Sequence, residues 1–263
     1  MPVSVHRERQ DDMRGWDVNA QGQAILAARF LGAADPADSA AHTVEKTYVE
    51  KKSLPFRFRE KRFSHIQPLI ESVIAKKGSC RIADIGGTVY YWKIAEDFVN
   101  SNPVEIDLIN LSHVEVSNPK FKSLTGNACA LNDIDDNAYD LVHSNSVIEH
   151  VGNRDQMTRM AANVRRLAPQ YYVQTPNFWF PYEPHFRAPF FHWLPEQLRA
   201  ELLMRFNLGF GGKRVNLDAA MRGLQSATLI SASQMQYLFP DANILRERAF
   251  GFSKSLMAVR HAD

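Results

Sequence analysis

Cysteine is scarce: the 263 residues contain two, Cys80 and Cys129. They form no CxxC pair and are too few for a disulfide framework. Each reads as a small buried residue beside a strand, in a chain suited to the reducing cytoplasm. No apolar run approaches the roughly 20 residues that span a bilayer, so stable membrane insertion is not expected. The opening MPVSVHRERQDDMRGW has no apolar stretch of the kind a signal peptide needs. A large excess of one charge is also missing. The net charge is +2, which argues against a dedicated nucleic-acid surface. Internal repeats and low-complexity segments are absent. What remains is an ordinary apolar fraction of 45%, enough for a substantial core in one large α/β domain with elaborations.

The early chain carries no clean period. A short helix is plausible at 21–31, stopped by Gly32-Ala-Ala-Asp-Pro36. Residues 44–62 mix Lys51, Lys52, Arg57, Arg59, Lys61 and Arg62 with Tyr48, Phe56 and Phe58; 51–62 reads as a solvated entry to a helix or, through Arg57 and Arg59, as a lid that attracts an anionic acceptor. From Phe63 the spacing becomes helical: Phe63, Ile66, Leu69, Ile70, Val73 and Ile74 share a face, and Gly78 ends the run. Strands then alternate with helices. The expected order is strand 80–85, helix 90–99, strand 104–111, a weaker strand 121–124, strand 139–144, helix 155–167 and strand 170–174. Such alternation implies βαβ units and a mainly parallel sheet. Residues 177–228 break the rhythm with aromatics, prolines and glycines. After a helix at 232–238, strands 244–250 and 254–260 are joined by only Gly251-Phe252-Ser253, a connection too short for anything but an antiparallel pair.

In an open α/β sheet the ligand lies beyond the carboxyl ends of the strands, where strand order reverses. The segments that matter are therefore Asp84-Ile85-Gly86-Gly87-Thr88, Asn110-Leu111-Ser112, Gly126-Asn127-Ala128, His143-Ser144-Asn145 and Thr175-Pro176-Asn177. Small residues allow close backbone approach, and the polar side chains suit a ribose, an adenine edge and an amino-acid moiety. A dinucleotide site wants G-x-G-x-x-G, so that a helix N-terminus holds a pyrophosphate. Gly86-Gly87-Thr88-Val89-Tyr90 has no third glycine, and a phosphate-free nucleoside is the better match.

In this order, the segments resemble those of class I S-adenosylmethionine-dependent methyltransferases, in particular the small-molecule and sugar group related to the type 11 domain. The likeness covers about 81–260. RIADIGGT resembles the first family motif, GNACALNDIDDNAYDLVHSNSVIEHV the run from the adenine loop to a Glu-His pair opening the next helix, YYVQTPNFWFPYEPHFRAPFFHWLP the fifth strand with its substrate-facing segment, and LFPDANILRERAFGFSKSLMAVR the antiparallel ending. The resemblance implies a Rossmann-like α/β fold with a seven-stranded, mostly parallel sheet and an antiparallel C-terminal pair. An N-terminal helical lid over 1–62 and a cap inserted at 177–228 complete it, the main domain being 63–263. It also implies S-adenosylmethionine as cofactor and S-adenosylhomocysteine as product. The implied cofactor residues are Asp84 (near the methionine amino group), Gly86, Gly87, Thr88, Asn110, Leu111, Asn127, Ala128, Ser144 and Asn145. Asn110 and Asn127 stand where the family usually has acids, and Thr88 where it has glycine.

Methyl transfer is an in-line displacement from an excellent leaving group, so alignment within about 3–3.5 Å does most of the work. A hydroxyl acceptor needs a base, and an amine needs only to be kept neutral; the reading leans to a hydroxyl. Glu149, His150 and His185 are the catalytic candidates, with His150 alternatively a helix-start cap or a residue ordering the cofactor. Tyr182, Glu183, His185, Arg57 and Arg59 are candidates for contact with the acceptor, a small molecule such as a sugar, nucleotide sugar or secondary metabolite. His192 reads as packed beside Trp193. The aromatics from Phe178 to Trp193 seal the cap, stack on a ring or touch a membrane shallowly, and 209–214 is a gating loop or a surface turn. No metal is expected, because Asp133, Asp135 and Asp136 fit a solvated turn better than an oxygen cage. A non-catalytic scaffold and an NAD-dependent oxidoreductase are the alternatives. Monomer and homodimer both remain open.

Overall fold

A computed structural model describes residues 54–209 and 211–262; the helix expected at 21–31 and the lid residues before 54 lie outside them. Seven strands form one sheet: β1 (Cys80–Ile85), β2 (Val104–Asn110), β3 (Phe121–Thr125), β4 (Leu141–Asn145), β5 (Gln170–Pro176), β8 (Asn243–Ala249) and β9 (Phe252–Arg260). Their order is β3-β2-β1-β4-β5-β9-β8. β3, β2, β1, β4 and β5 run parallel, while β9 pairs antiparallel with both β5 and β8. This is the expected Rossmann-like architecture, and strand order reverses between β1 and β4. Among the described residues, no helix is long and apolar enough to cross a membrane.

Both sheet faces are covered, so alternate residues of one strand feed different cores. Ile82, Ile106, Leu108 and Tyr172 join Phe63, Ile66, Leu69, Ile70 and Trp92 on one face. Ala83, Ile85, Val142 and Val173 join Met157, Met160, Val164, Leu167 and Leu238 on the other. The first of these faces is covered by α1 (Leu54–Lys77), and the second by α4 (Arg154–Leu167) and α7 (Ala232–Leu238). Gly78, at φ +83°, ends α1 and returns its N–H to the Ile74 carbonyl at 2.8 Å, a left-handed stop that glycine adopts without Cβ strain.

Three expectations need correction. α1 begins at Leu54 rather than near Phe63, because the apolar period reaches back through Phe56, which is buried. The helix therefore runs without a break through residue 62. The helix expected at 90–99 is instead α2 (Val89–Trp92), a 3₁₀ turn (Lys93–Ala95) and α3 (Glu96–Ser101). Tyr91 and Trp92 are both buried, the Trp92 indole is tied to Asp84, and Ala95 leaves helical dihedrals at φ −126°, ψ 26°. Finally, Glu149 and His150 lie in a 3₁₀ turn (Ile148–His150) and do not open α4. The cap of α4 is Asn153, in a reciprocal box with Gln156.

The cap region carries its own small core. After β5 comes a two-stranded hairpin, β6 (Tyr182–Glu183) and β7 (Ala188–Pro189), followed by α5 (Glu196–Arg205) and α6 (Leu217–Gln225). Phe186, Phe191, Ala200, Leu203, Ala220 and Leu224 pack together there.

α1 is also fixed by charge. Arg62 is buried and grips Glu247 of β8 through two bonds, Nε to Oε1 at 2.9 Å and Nη2 to Oε2 at 3.1 Å. Burial alone would raise the Glu247 carboxyl, but Arg62 and Lys254 outweigh it and hold the group below the ordinary carboxylate value. Arg62→Met leaves that buried carboxylate with Lys254, 3.6 Å away, and the Ser255 side chain. The expected loss is toward the lower end of the ~3–5 kcal/mol typical of a broken buried pair, read from urea unfolding. Because the folded pKa of Glu247 is depressed, its contribution is present above the ordinary carboxylate range and is lost as pH falls through the folded value. Glu247→Gln is expected to flatten that acid limb of the stability curve.

Candidate active site

The loop after β1 is built around a buried carboxylate. Asp84 is fully buried; Oδ2 accepts from the Trp92 indole N–H at 2.7 Å, and Oδ1 pairs with His143 Nδ1 at 2.6 Å. The His143 ring stacks on Tyr172 at 5.6 Å. Both Asp84 oxygens thus have protein partners, and the carboxylate braces the loop from beneath. A Cβ on Gly87 would lie 1.8 Å from Asp84 Oδ2, so only glycine fits there. Gly86 sits at φ +71°, with its N–H on the Ile109 carbonyl at 2.8 Å. Thr88 precedes α2 without a side-chain cap bond.

The other expected cofactor residues flank this loop. Asn110 ends β2 and donates from Nδ2 to the Gly87 carbonyl at 2.9 Å, which leaves Oδ1 as its acceptor. Leu111 follows it, half-buried. Asn127 is exposed, and its Oδ1 accepts from Cys129 N at 2.9 Å; Ala128 is buried behind it. Ser144 is buried and donates to the Ile85 carbonyl at 3.0 Å, a bond that joins β4 to β1. Asn145, half-buried at the end of β4, accepts from Arg62 Nη1 at 3.1 Å.

At the ends of β4 and β5 the three catalytic candidates meet. Ser146, at φ +57°, turns the chain out of β4 and into the short helix that carries Glu149 and His150. His185 arrives from the β6–β7 hairpin. One ligating atom from each of Glu149, His150 and His185 lies within 4.8 Å of the other two. The two imidazoles meet edge to face, with centroids 4.9 Å apart and planes at 88°. Each ring is anchored through Nδ1: His150 to the Ser226 carbonyl at 2.8 Å, and His185 to Glu183 Oε1 at 2.6 Å. Glu149 Oε2 accepts from the Thr175 hydroxyl at 2.9 Å, whereas Oε1 is buried with no hydrogen-bond partner. Burial pushes the Glu149 carboxyl up to about 7, against the pull of His185 and its hydrogen bonds. Burial, with the nearby His185, lowers His150 to about 3.

Other candidates fall elsewhere. Arg57 is exposed on α1 and Arg59 half-buried. It is Arg62, unmarked as a site residue in the sequence, that reaches the strand ends, where Nη1 also contacts Gln174 Oε1 at 3.2 Å. Its signal was its position four residues before Ile66, on the buried stripe of α1. Thr175 and Gln174 were likewise missed as side chains, although their strand end was marked. Tyr182 is exposed and Glu183 buried. His192 packs against Trp193 as expected, at 5.3 Å, and its Nε2 meets the Phe178 carbonyl at 2.7 Å. The cap aromatics divide: Phe186 and Phe191 are core, while Trp179, Phe190 and Trp193 are exposed. Gly209 packs on the site, since a Cβ there would lie 2.3 Å from the His185 carbonyl oxygen. Among the described residues the converging ligand group does not include Asp133, Asp135 or Asp136; Asp136 pairs with Arg166 at 3.0 Å.

No protein-family model matches the chain. Two curated relatives, the uncharacterized proteins MT1557 and Rv1509 of Mycobacterium tuberculosis strains CDC 1551 and H37Rv, are each 36% identical over 58 residues. The matched stretch is 22% of this chain and spans only 20% of the length of either relative. Among solved structures, the CMeT domain of the citrinin polyketide synthase superposes with a TM-score of 0.50 at 11% identity, over 94% of this chain and 67% of that one. Magnesium protoporphyrin IX methyltransferase from Synechocystis PCC 6803, solved with S-adenosylhomocysteine, gives 0.43 at 12% identity over 92% and 96%. The first likeness, with the observed strand order and single reversed strand, identifies the architecture. The chain has the class I S-adenosylmethionine-dependent methyltransferase fold.

Proposed function

We propose that this protein transfers a methyl group from S-adenosylmethionine to a hydroxyl of a small-molecule acceptor, such as a sugar, nucleotide sugar or secondary metabolite, in the cytoplasm. The observation that carries the reading is the meeting of Glu149, His150 and His185 at the ends of β4 and β5, on the same sheet edge as the glycine loop after β1. That edge is where an open α/β sheet binds its ligand. Gly86 and Gly87 let the loop backbone approach the cofactor. Asn110 Oδ1 is placed to accept from a ribose hydroxyl, because its Nδ2 is committed to Gly87. The amide thus keeps the acceptor that an acid would supply. Asp84 acts by bracing the loop.

S-adenosylmethionine supplies a methyl on a sulfonium: as the acceptor oxygen bonds to that carbon, the C–S bond breaks and its electron pair passes to sulfur. The acceptor proton goes to His185. Glu183 holds the Nδ1 side of that ring, which fixes the tautomer with Nε2 basic and stabilises the imidazolium that forms. Glu149 and His150 border the same space. The exposed Trp179, Phe190 and Trp193 of the cap provide apolar surface for an acceptor ring.

Calorimetric titration with S-adenosylhomocysteine is expected to show micromolar binding, weakened at least about tenfold in Asn110→Ala by loss of a hydrogen bond worth about 1.4 kcal/mol, with NADH silent. A folded sample that binds neither ligand would instead favour the scaffold reading. With an acceptor found by screening, His185→Ala should lower kcat about 100-fold or more while S-adenosylhomocysteine affinity stays within about twofold. Gly209→Ala, which displaces the His185 backbone, is expected to lower kcat in the same direction and leave cofactor affinity unchanged.

A further inference from the structure

We propose that Glu149, His150 and His185 form a binding site for one divalent first-row transition metal ion. The three offer two imidazole nitrogens and a carboxylate oxygen, all within 4.8 Å of one another. Metal bonds of about 2.0–2.2 Å place ligand atoms about 3–3.5 Å apart, a contraction that small side-chain rotations supply. The site is assembled from two chain segments, the turn after β4 and the hairpin after β5.

The tautomers favour coordination. Nδ1 of His150 donates to a backbone carbonyl and Nδ1 of His185 bonds the Glu183 carboxylate, so Nε2 is the nitrogen that each ring presents to the cluster. Carbonyl and carboxylate partners of this kind are what orient metal-bound histidines and raise their basicity. Glu149 supplies the independent observation: one oxygen accepts from Thr175, while Oε1 is buried and accepts nothing. A buried carboxylate oxygen without a donor is costly. It lies with one nitrogen of each imidazole in the same small cluster, and a divalent cation would satisfy all three atoms at once. Two nitrogens and one oxygen select zinc, iron, cobalt, nickel or manganese over magnesium and calcium, which prefer oxygen alone. Three protein ligands leave positions for a further oxygen ligand.

This assignment rests on the proposed function only for its role. With the ion bound, an acceptor hydroxyl that coordinates it would give up its proton to water more readily, and His185 would serve as a ligand instead of as the base. Binding itself needs no methyl transfer. The test uses the full chain, stripped with chelator and titrated with Co²⁺, followed by visible d–d absorption and by metal analysis after desalting. One equivalent per chain is expected, with affinity at least tenfold weaker in Glu149→Gln and in His185→Ala, both checked for native circular dichroism. Replacing Cys80 and Cys129 by Ser should leave the uptake unchanged. Folded, stripped protein that takes up no Co²⁺, or uptake equal to wild type in both Glu149→Gln and His185→Ala, overturns the site. Overturned in that way while S-adenosylhomocysteine still binds, the metal is gone and the histidine-base reading stands. Stoichiometric Co²⁺ uptake in a protein that ignores S-adenosylhomocysteine would uphold the metal site and remove the methyltransferase reading.

Discussion

A carboxylate taken wholly out of water must be fully paired, and Asp84 imposes that demand on everything around it. Its partners come from α2 and β4, through Trp92 and His143. One buried charge therefore ties the end of β1 to the helix that follows and to the strand across the switch point. The volume it fills beneath the loop forces glycine at position 87, and the interruption of the helix after Trp92 goes with turning that indole inward. Desolvation makes such an arrangement unforgiving: an unpaired carboxylate there costs several kcal/mol, so the loop has one well-determined shape. A nucleoside site gains from that rigidity, because little has to be ordered on binding.

The cluster of Glu149, His150 and His185 follows a different logic. Its polar groups are anchored at one end and exposed to one another at the other. Ser226 and Glu183 hold the two imidazoles, Thr175 holds one oxygen of Glu149, and the remaining atoms converge. A buried cluster of this kind calls for an explanation such as a shared proton, a water, an ion or a catalytic role. The cap makes this possible, since Gly209 lies against the His185 backbone and α5 and α6 stabilise the hairpin through their own small core. Arg62 then locks α1 across the ends of β4, β5 and β8, and closes the sheet edge on a third side.

Much of this was legible in the chain. Alternating periods marked the sheet strands to within a few residues, and the short Gly251-Phe252-Ser253 connection required the antiparallel ending that β8 and β9 show. The loops rich in small polar residues fell at the strand ends. The start of α1 was not legible, because basic residues interleave with Phe56 and Phe58 and hide the buried stripe. Nor was Arg62, whose partners Glu247, Asn145 and Gln174 are far away in sequence. The break after Trp92 was equally hidden, since it answers to a bond with Asp84 and not to any helix-breaking residue.

By itself, the sequence determined the class of fold and the order of its elements, because hydrophobic periodicity and turn chemistry are local properties of the chain. Only the tertiary structure decided which side chains meet. The sequence marked Glu149, His150 and His185 separately, in a turn and in a hairpin, and their convergence depends on the pairing of β4 with β5 and on the cap folding back. It also decided which ring nitrogen is anchored, that Asp84 is inward-facing, and that Arg62 is buried. Each is set by long-range packing and by the cost of leaving a buried polar atom unpaired, quantities that no local pattern encodes.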